Sequence, residues 1–315
     1  MTMLHYAVQR LLHAIPILAG VSVLVFVLVH MMPGNAIDML VPPDAPQELV
    51  KRLMAAYGLD KPLHVQYLHW LAMLVKGDLG YSIATSESVA RELGRALANT
   101  FLLAIPAAAL GFSVGTLLGT AAAFRQGKLT DKLLSAIAIT GVSLPHYWIA
   151  IVLVAIFSVS LNWLPAQGMG FEGLPGDLQQ LGSLVLPVVA LSLIPLGVVG
   201  RVVRASVLDV LNQEFVSTLH AKGLGGGRIV VHILKNTLPS VFAVMGMQLG
   251  YLLGGSIMVE TVFNWPGSGN LLYQAILRRD VPVIQATIVV LAFFFVLMNL
   301  LVDIAQALVD PRIRR

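Results

Sequence analysis

Six long apolar runs alternate with polar stretches along this chain of 315 residues. A bilayer core of about 30 Å is crossed by about 20 helical residues, and each run is long enough. The first run is too long for a removed signal peptide and is not followed by a cleavage site of small residues. The pattern predicts an all-α integral membrane protein with six transmembrane helices, at residues 11–31, 100–124, 133–160, 184–203, 238–259 and 286–309.

The composition agrees with a membrane protein, since 57% of the residues are hydrophobic and only 11% are charged. The absence of cysteine excludes disulfide scaffolds and thiolate metal sites. The net charge is only +4, which is better explained by orientation in a membrane than by binding of nucleic acid.

The positions of the basic residues predict the orientation. With the amino terminus in the cytoplasm, the larger part of the 20 Lys and Arg residues falls on the cytoplasmic side, as the positive-inside rule requires. We therefore expect both termini in the cytoplasm of a bacterial inner membrane. The residues on that side are Arg10, Arg125, Lys128, Lys132, Arg201, Arg204, Lys222, Arg228, Lys235, Arg312, Arg314 and Arg315.

The longest external stretch covers residues 32–99 and contains amphipathic patterns rather than the composition of a linker. Apolar residues recur at helical spacing between residues 46 and 57 and again between 63 and 77, and a third short helix is possible at 89–97. We expect a small folded cap, or helices that lie in the membrane interface.

A polar stretch at residues 214–239 separates the fourth and fifth runs. Residues 214–222 suit a short helix, and Gly223 follows where a helix end favours a left-handed residue. The cluster Gly225–Gly227 is expected to turn the chain into a second amphipathic helix that starts at Arg228 and leads to Pro239. Helix, turn and helix would form a rigid projection that a partner could push.

These residues resemble a known family. Ala221-Lys-Gly-Leu224, followed by Asn236-Thr-Leu-Pro239, looks like the EAA loop of permease subunits in ATP-binding-cassette (ABC) importers. The Glu-Ala-Ala triplet is replaced by Ser217-Thr-Leu219, as in the peptide and nickel branch. In that family the loop is the coupling helix that docks on the ATPase. The resemblance assigns this role to Glu214, Ala221, Lys222, Gly223, Leu224 and Arg228; an isolated surface hairpin is the alternative.

The resemblance extends over almost the whole chain. Tyr57-Gly-Leu-Asp-Lys-Pro-Leu63 and Lys76-Gly-Asp-Leu-Gly-Tyr-Ser82 resemble the external scoop of the first permease in peptide importers. The resemblance implies a type I importer permease with an external helical scoop and a cytoplasmic coupling helix. Further matching motifs begin at Gln9, Pro33, Gly141, Asn162, Val259 and Asp310.

The implied organisation has four parts. Residues 1–31 form the cytoplasmic amino terminus and first transmembrane helix, and residues 32–99 form the periplasmic scoop. Residues 100–309 form a permease core of five helices that includes the coupling loop at 214–239. Residues 310–315 form a cytoplasmic tail.

Polar residues within the apolar runs indicate where a substrate path could lie. Ser143, His146 and Tyr147 surround Pro145, which interrupts helical hydrogen bonding, and Gln248 lies in the middle of a span. These residues either face the path or are packed polar groups. Glu260, at the outer end of its helix, is expected to anchor the neighbouring turn rather than to bind a ligand.

Two ridges of glycines at four-residue spacing predict close helix packing. Whether they pack within this chain or on a second permease is open at this stage. The ridges are Gly111, Gly115 and Gly119, and Gly246, Gly250 and Gly254.

The sequence contains no constellation for catalysis. It lacks the nucleotide-binding Gly-x-x-x-x-Gly-Lys-Ser/Thr loop, the His-Glu-x-x-His metalloprotease pair and the Gly-x-Ser-x-Gly elbow. We therefore expect no catalytic residue, metal site or cofactor, and no enzyme activity. The sequence does not support an intramembrane enzyme. An ion-coupled secondary carrier remains the alternative; it would need pairs of acidic residues within the membrane, and Asp303 is the only candidate residue in the sequence.

The preferred hypothesis is the permease subunit of an ATP-driven importer. By resemblance, its partners are a second homologous permease, two ATPase subunits, a periplasmic solute-binding protein and the lipid membrane, with no nucleic acid. Di- or oligopeptides are the expected substrates, and glutathione or chelated nickel are the alternatives.

Overall fold

The structure is a computed structural model that describes residues 3–31, 46–48, 52, 60–169 and 178–309. Within these ranges the regular secondary structure is helical, with a single β-bridge between Tyr81 and Ser88, and turns and loops join the helices. The helices are α1 (Met3–His30), α2 (Leu63–Val75), α3 (Val89–Phe124), α4 (Leu129–Ser143), α5 (His146–Leu153), α6 (Leu178–Leu211), α7 (Glu214–Ala221), α8 (Gly226–Val262), α9 (Ser268–Leu277) and α10 (Val281–Val309). A π-helical segment, Val154–Ser160, continues α5.

Several expected features lie outside the described residues. They are most of the helix at 46–57, the motif at Pro33, the start of the Tyr57–Leu63 motif and the tail at 310–315.

Five of these helices are long and apolar enough to cross a membrane: α1, α3, α6, α8 and α10. The sixth expected span, at 133–160, is not one straight helix. The chain bends by 100° between α4 and the segment that starts at His146, so the two halves form a broken span or a re-entrant loop. The bend lies at Leu144 and Pro145, whose backbones are extended, and a proline disfavours the helical conformation in the residue that precedes it.

The helix α3 differs from expectation at its start. Residues 89–97 form its first turns rather than a separate helix of the external cap, so the boundary expected at residue 99 falls inside α3. Pro106, Pro187, Pro195 and Pro239 all lie inside continuous helices. In the described chain these three helices continue through their prolines, whereas the expected span at 133–160 is broken next to Pro145.

The first glycine ridge packs within this chain. The most extensive helix contact is between α3 and α6. A Cβ added at Gly111 would lie 2.8 Å from the Ser192 carbonyl oxygen, and one at Gly115 would lie 2.7 Å from the Leu196 oxygen. Only glycine permits this approach of the two backbones, which is the packing mode expected in lipid.

The second ridge is divided. Gly246 and Gly250 receive the side chains of Val302 and Phe295 from α10, whereas Gly254 has no atom within 4 Å of an added Cβ. The helix α10 also packs on α1, and there Arg10 pairs with Asp303 at 3.2 Å. Asp303 thus has a partner from another helix.

Two buried carboxylates organise the opposite end of the bundle. Glu260 accepts hydrogen bonds from Thr100 Oγ1 at 2.8 Å and from the backbone N–H groups of Gly269 and Asn270 at 2.8 and 3.0 Å. Asp280 accepts hydrogen bonds from Ser82 Oγ and from the backbone N–H of Ala84. Both carboxylates join residues that are far apart in the sequence. For Glu260 this is the anchoring role expected from the sequence.

Candidate coupling site and translocation path

The short helix α7 rests on the ends of the two long helices that flank it. Val216 of α7 is buried, and Phe215 and Leu219 pack with it against Val207 of α6 and Ile233 of α8. The opposite face of α7 is polar and exposed, with Glu214, Ser217, Thr218 and His220. Burial of one face fixes α7 to the bundle, while the other face is open to a partner.

The end of α7 is a Schellman motif. Gly223 has a φ of +73°, its N–H bonds the His220 carbonyl at 2.9 Å, and the Leu224 N–H bonds the Leu219 carbonyl at 3.2 Å. This is the pair of hydrogen bonds that closes a helix with a left-handed glycine. The side chains of Leu219 and Leu224 lie in the same apolar cluster, as the motif favours.

Five of the six residues proposed for coupling are exposed: Glu214, Ala221, Lys222, Gly223 and Arg228. Leu224 is partly buried against this chain's own core, so its apolar surface is shared with the Schellman contact. An open concavity of about 540 Å³ is lined by residues 222–228. The exposed backbone of this turn and two flanking basic side chains could accept complementary groups.

The glycine cluster differs from the turn predicted from the sequence. Gly225 is the N-cap of α8, and Gly226 and Gly227 are already in its first turn. The reversal of direction is therefore made by residues 222–225. The helix that begins there continues through Pro239 to Val262, so the candidate coupling residues are joined to a candidate membrane span by one uninterrupted helix.

An ion pair that joins α6 to α4 was not apparent from the sequence. Arg204 of α6 donates from Nε and Nη2 to the two oxygens of Asp131 on α4, at 2.7 and 2.8 Å. Gly127 N–H and Ser135 Oγ also donate to Asp131. Arg204 follows Val203 and precedes Val207, which both pack in the cluster that holds α7. The charges were visible in the sequence, but their pairing across 73 positions was not.

The bend at Pro145 brings aromatic side chains to the surface. Tyr147 and Trp148 are about half exposed, and Ser143 and Pro145 are also exposed. Ser143 Oγ donates to the Ile139 carbonyl at 2.9 Å, so its hydroxyl is bonded within α4. The bend therefore presents an amphipathic face to whatever lies beside this chain.

The helices α5 and α8 meet at this bend. The ring of His146 lies 6.3 Å from the ring of Tyr251, edge to face. Gln248 is on α8, one turn before Tyr251, and its Oε1 is buried with no hydrogen-bond partner among the described residues. The structure brings His146 and Gln248 to one helix contact and adds Tyr251, which its i+3 spacing from Gln248 could have indicated.

In the described ranges, no group of three or more His, Asp or Glu residues is placed to hold a metal ion.

Comparison with known proteins agrees with this architecture. Residues 115–315 match the family model described as "Binding-protein-dependent transport system inner membrane component", and residues 3–104 match the N-terminal model of such membrane components. The chain belongs to this family. The resemblance to ABC importer permeases is therefore confirmed.

Curated relatives match over nearly the full length. The dipeptide transport system permease DppB of Alkalihalophilus pseudofirmus is 38% identical, over 99% of this chain and 100% of its own. The glutathione transport system permease GsiC of Escherichia coli K12 is 39% identical, over 99% of each chain. A chain from the inward-facing MetNI methionine ABC transporter has the same fold at a TM-score of 0.58, with 19% identity, covering 69% of this chain and 96% of that one.

Membership of the family makes the chain a multi-pass inner-membrane permease of an ABC importer. Family membership implies ATPase subunits and a substrate-binding protein as partners, and ATP hydrolysis belongs to the ATPases. The type I permease architecture inferred from the sequence is consistent with the described helices and with the MetNI fold.

Proposed function

We propose that this permease imports di- or oligopeptides that a periplasmic binding protein delivers. Relatives at 38–39% identity are named for dipeptide and glutathione transport, and glutathione is itself a short peptide. Glutathione is the second candidate substrate. Chelated nickel is the third candidate substrate, and neither of these two relatives is named for nickel transport.

The proposed assembly contains this chain, a second homologous permease, two ATPases and the binding protein. Both termini and the loop at 214–239 face the cytoplasm, and the segment at 32–99 lies on the periplasmic side of the membrane. The distribution of Lys and Arg supports this orientation. It also puts the exposed face of α7 on the side where ATP is available.

The observation that carries the coupling role is the construction of α7. One face of α7 packs on α6 and α8, so a force on α7 is transmitted to both helices. The Gly223 motif fixes the turn between α7 and α8, and α8 continues into the membrane without interruption. When the two ATPases close, they press on residues 214–228, and the helix bundle rotates into an outward-open conformation. The bound peptide then enters the cavity between the two permeases.

The path itself runs along the bend at Pro145. Tyr147, Tyr251 and the half-buried side chain of Gln248 are polar groups on a face that this chain does not cover completely. Such groups suit a wet cavity and a peptide backbone, whose donors and acceptors need partners. Ser143 and His146 border the same bend.

Replacing Gly223 tests the coupling role. An added Cβ at Gly223 meets no atom within 4 Å, so the cost of Gly223→Val comes from the positive φ and is about 1 kcal/mol or more. The turn should move while the spans stay folded. Import into proteoliposomes should fall several-fold, the complex should still assemble, and ATP hydrolysis should no longer depend on the loaded binding protein.

Two matched variants serve as controls. Gly223→Asn places a residue that tolerates the left-handed region and should retain most of the import. Gly226→Ala adds a Cβ in open space at a position without positive φ and should be silent. Normal import by Gly223→Val in an assembled complex would remove the coupling role from α7.

A further inference from the structure

The helix α2 carries no charged side chain. Its sequence, Leu-His-Val-Gln-Tyr-Leu-His-Trp-Leu-Ala-Met-Leu-Val, has only Gln66 and two histidines as strongly polar residues. Charges stand on both sides of it, with Asp60 and Lys61 before it and Lys76 and Asp78 after it. A helix that projected into water would be expected to carry charges along its exposed face.

The exposed face of α2 is nevertheless largely apolar. Leu68 is 60% exposed and Val75 is 80% exposed, and Leu63, Val65 and Ala72 are also exposed. None of its 13 residues is fully buried. A contiguous apolar face of this kind marks contact with lipid or with another protein.

The contacts of α2 with α1 define its depth. Tyr67 OH lies 2.9 Å from Ser22 Oγ, His30 Nε2 lies 3.3 Å from Gln66 Oε1, and Phe26 contacts the rings of both Tyr67 and Trp70. In α1 these partners lie within the candidate membrane span Gln9–His30. At 1.5 Å per residue, Ser22 is about 12 Å from the end of that span at His30.

We propose that α2 is embedded in the membrane, on the side of the bilayer that holds the second half of α1, with Leu68, Ala72 and Val75 in contact with lipid acyl chains. A tyrosine side chain spans about half of the 12 Å between His30 and Ser22, so the axis of α2 lies several ångströms inside the interface. This is the depth of an interfacial amphipathic helix, about 5–10 Å.

The length and the flanks of α2 define its tilt. Thirteen residues extend about 20 Å, which is too short to cross a core of about 30 Å. Because charges bracket both ends, both ends stay at the headgroups and the helix lies along the membrane plane. The adjoining surface of α1 is continuous with it, since Val23, Leu24 and Val27 are each about half exposed.

Lipid is favoured over a protein partner by the chemistry of the face. A periplasmic protein would meet it only if α2 rose out of the membrane, which would separate Tyr67 from Ser22 and expose an uncharged helix to water. The embedded position instead keeps the hydrogen bond between Ser22 and Tyr67 in an apolar medium, where an unpaired hydroxyl is costly.

Spin labelling at Leu68 tests the proposal. The chain has no cysteine, so Leu68→Cys gives a single labelling site in the assembled transporter in vesicles. The collision rate of its nitroxide should be high with oxygen, which concentrates in acyl chains, and low with a water-soluble nickel chelate. Leu24→Cys on α1 is the lipid-facing reference, and Tyr81→Cys, 70% exposed after the charged flank, is the water-facing reference.

Each result decides the point. An oxygen-to-nickel ratio at position 68 that is several-fold above that at position 81, and near that at position 24, supports the membrane-embedded helix. Frequent collisions with the nickel chelate would place α2 in water, and low rates with both reagents would show coverage by the second permease or by residues 32–59; either overturns the proposal. Ala72→Cys on the same face repeats the measurement if Leu68→Cys does not assemble.

Discussion

Two polar residues of α8, Glu260 and Gln248, differ in whether their side-chain oxygens accept hydrogen bonds from the described chain. Glu260 is fully buried, and its carboxylate receives hydrogen bonds from Thr100, Gly269 and Asn270. Gln248 is 12 positions earlier, about 18 Å along the helix, and its buried Oε1 has no partner among the described residues.

The contrast separates a structural polar group from one that is available for function. A buried acceptor whose donors come from α3 and α9 stabilises the contact of three helices, and removing it leaves those donors unpaired. A buried acceptor without a donor is a cost to this chain by itself, which a second permease, water or a peptide can offset. The end of α8 at Glu260 is therefore held by three hydrogen bonds, whereas the Gln248 Oε1 in its middle has none from the described chain.

The largest effect is expected at Glu260. Glu260→Ala leaves the Thr100 hydroxyl and two backbone N–H groups without their acceptor, and should lower the free energy of unfolding by roughly 3 kcal/mol or more. A fall in the apparent melting temperature of the purified complex in detergent would measure it. Glu214→Ala removes an exposed carboxylate at the start of α7 and should cost less than about 1 kcal/mol. Equal melting of these two variants would contradict the anchoring role of Glu260.

An intermediate effect is expected at Asp131. Asp131→Asn weakens the bidentate pair with Arg204, whose side chain is 31% exposed and can turn toward water, so the loss should be about 1–2 kcal/mol. A double-mutant cycle with Arg204→Gln should show a coupling free energy between the two sites. Asp209→Asn, at an exposed position of α6, is the matched control and should be near neutral. Strictly additive losses at 131 and 204 would mean that the pair does not hold α4 to α6.

The smallest effect on stability, with a change in transport, is expected at Gln248. Gln248→Leu removes an acceptor that makes no hydrogen bond in the described chain. The free energy of unfolding should therefore change by no more than about 0.5 kcal/mol, as for neutral substitutions, and the apparent melting temperature should stay nearly constant. The import rate or the range of imported peptides should change, because the amide is available to a partner. Met247→Leu, at the exposed neighbouring position, should change neither. A large drop in melting temperature without altered transport would make Gln248 a packing residue like Glu260.

Local features of the fold were predictable from the sequence. The helix α7, its end and the left-handed Gly223 follow from residues within a few positions of one another, and the long apolar runs identified five continuous spans. The glycine ridges predicted close packing, and their partners in α6 and α10 appeared only in three dimensions. Which residues bind the ATPase or line the path stays a prediction.

The sequence by itself determined the membrane class, the number of apolar segments, the short helix in the polar stretch at 214–239 and the family. Each depends on composition or on short-range spacing. Pro145 indicated a break in the span, but the 100° angle between its two halves is found only in the tertiary structure, where α5 packs on both α6 and α8. It also decided which polar groups pair: Thr100 with Glu260, Ser82 with Asp280 and Arg204 with Asp131 are 160, 198 and 73 positions apart. Hydrogen bonds act over about 3 Å, so only the folded chain brings such residues within reach.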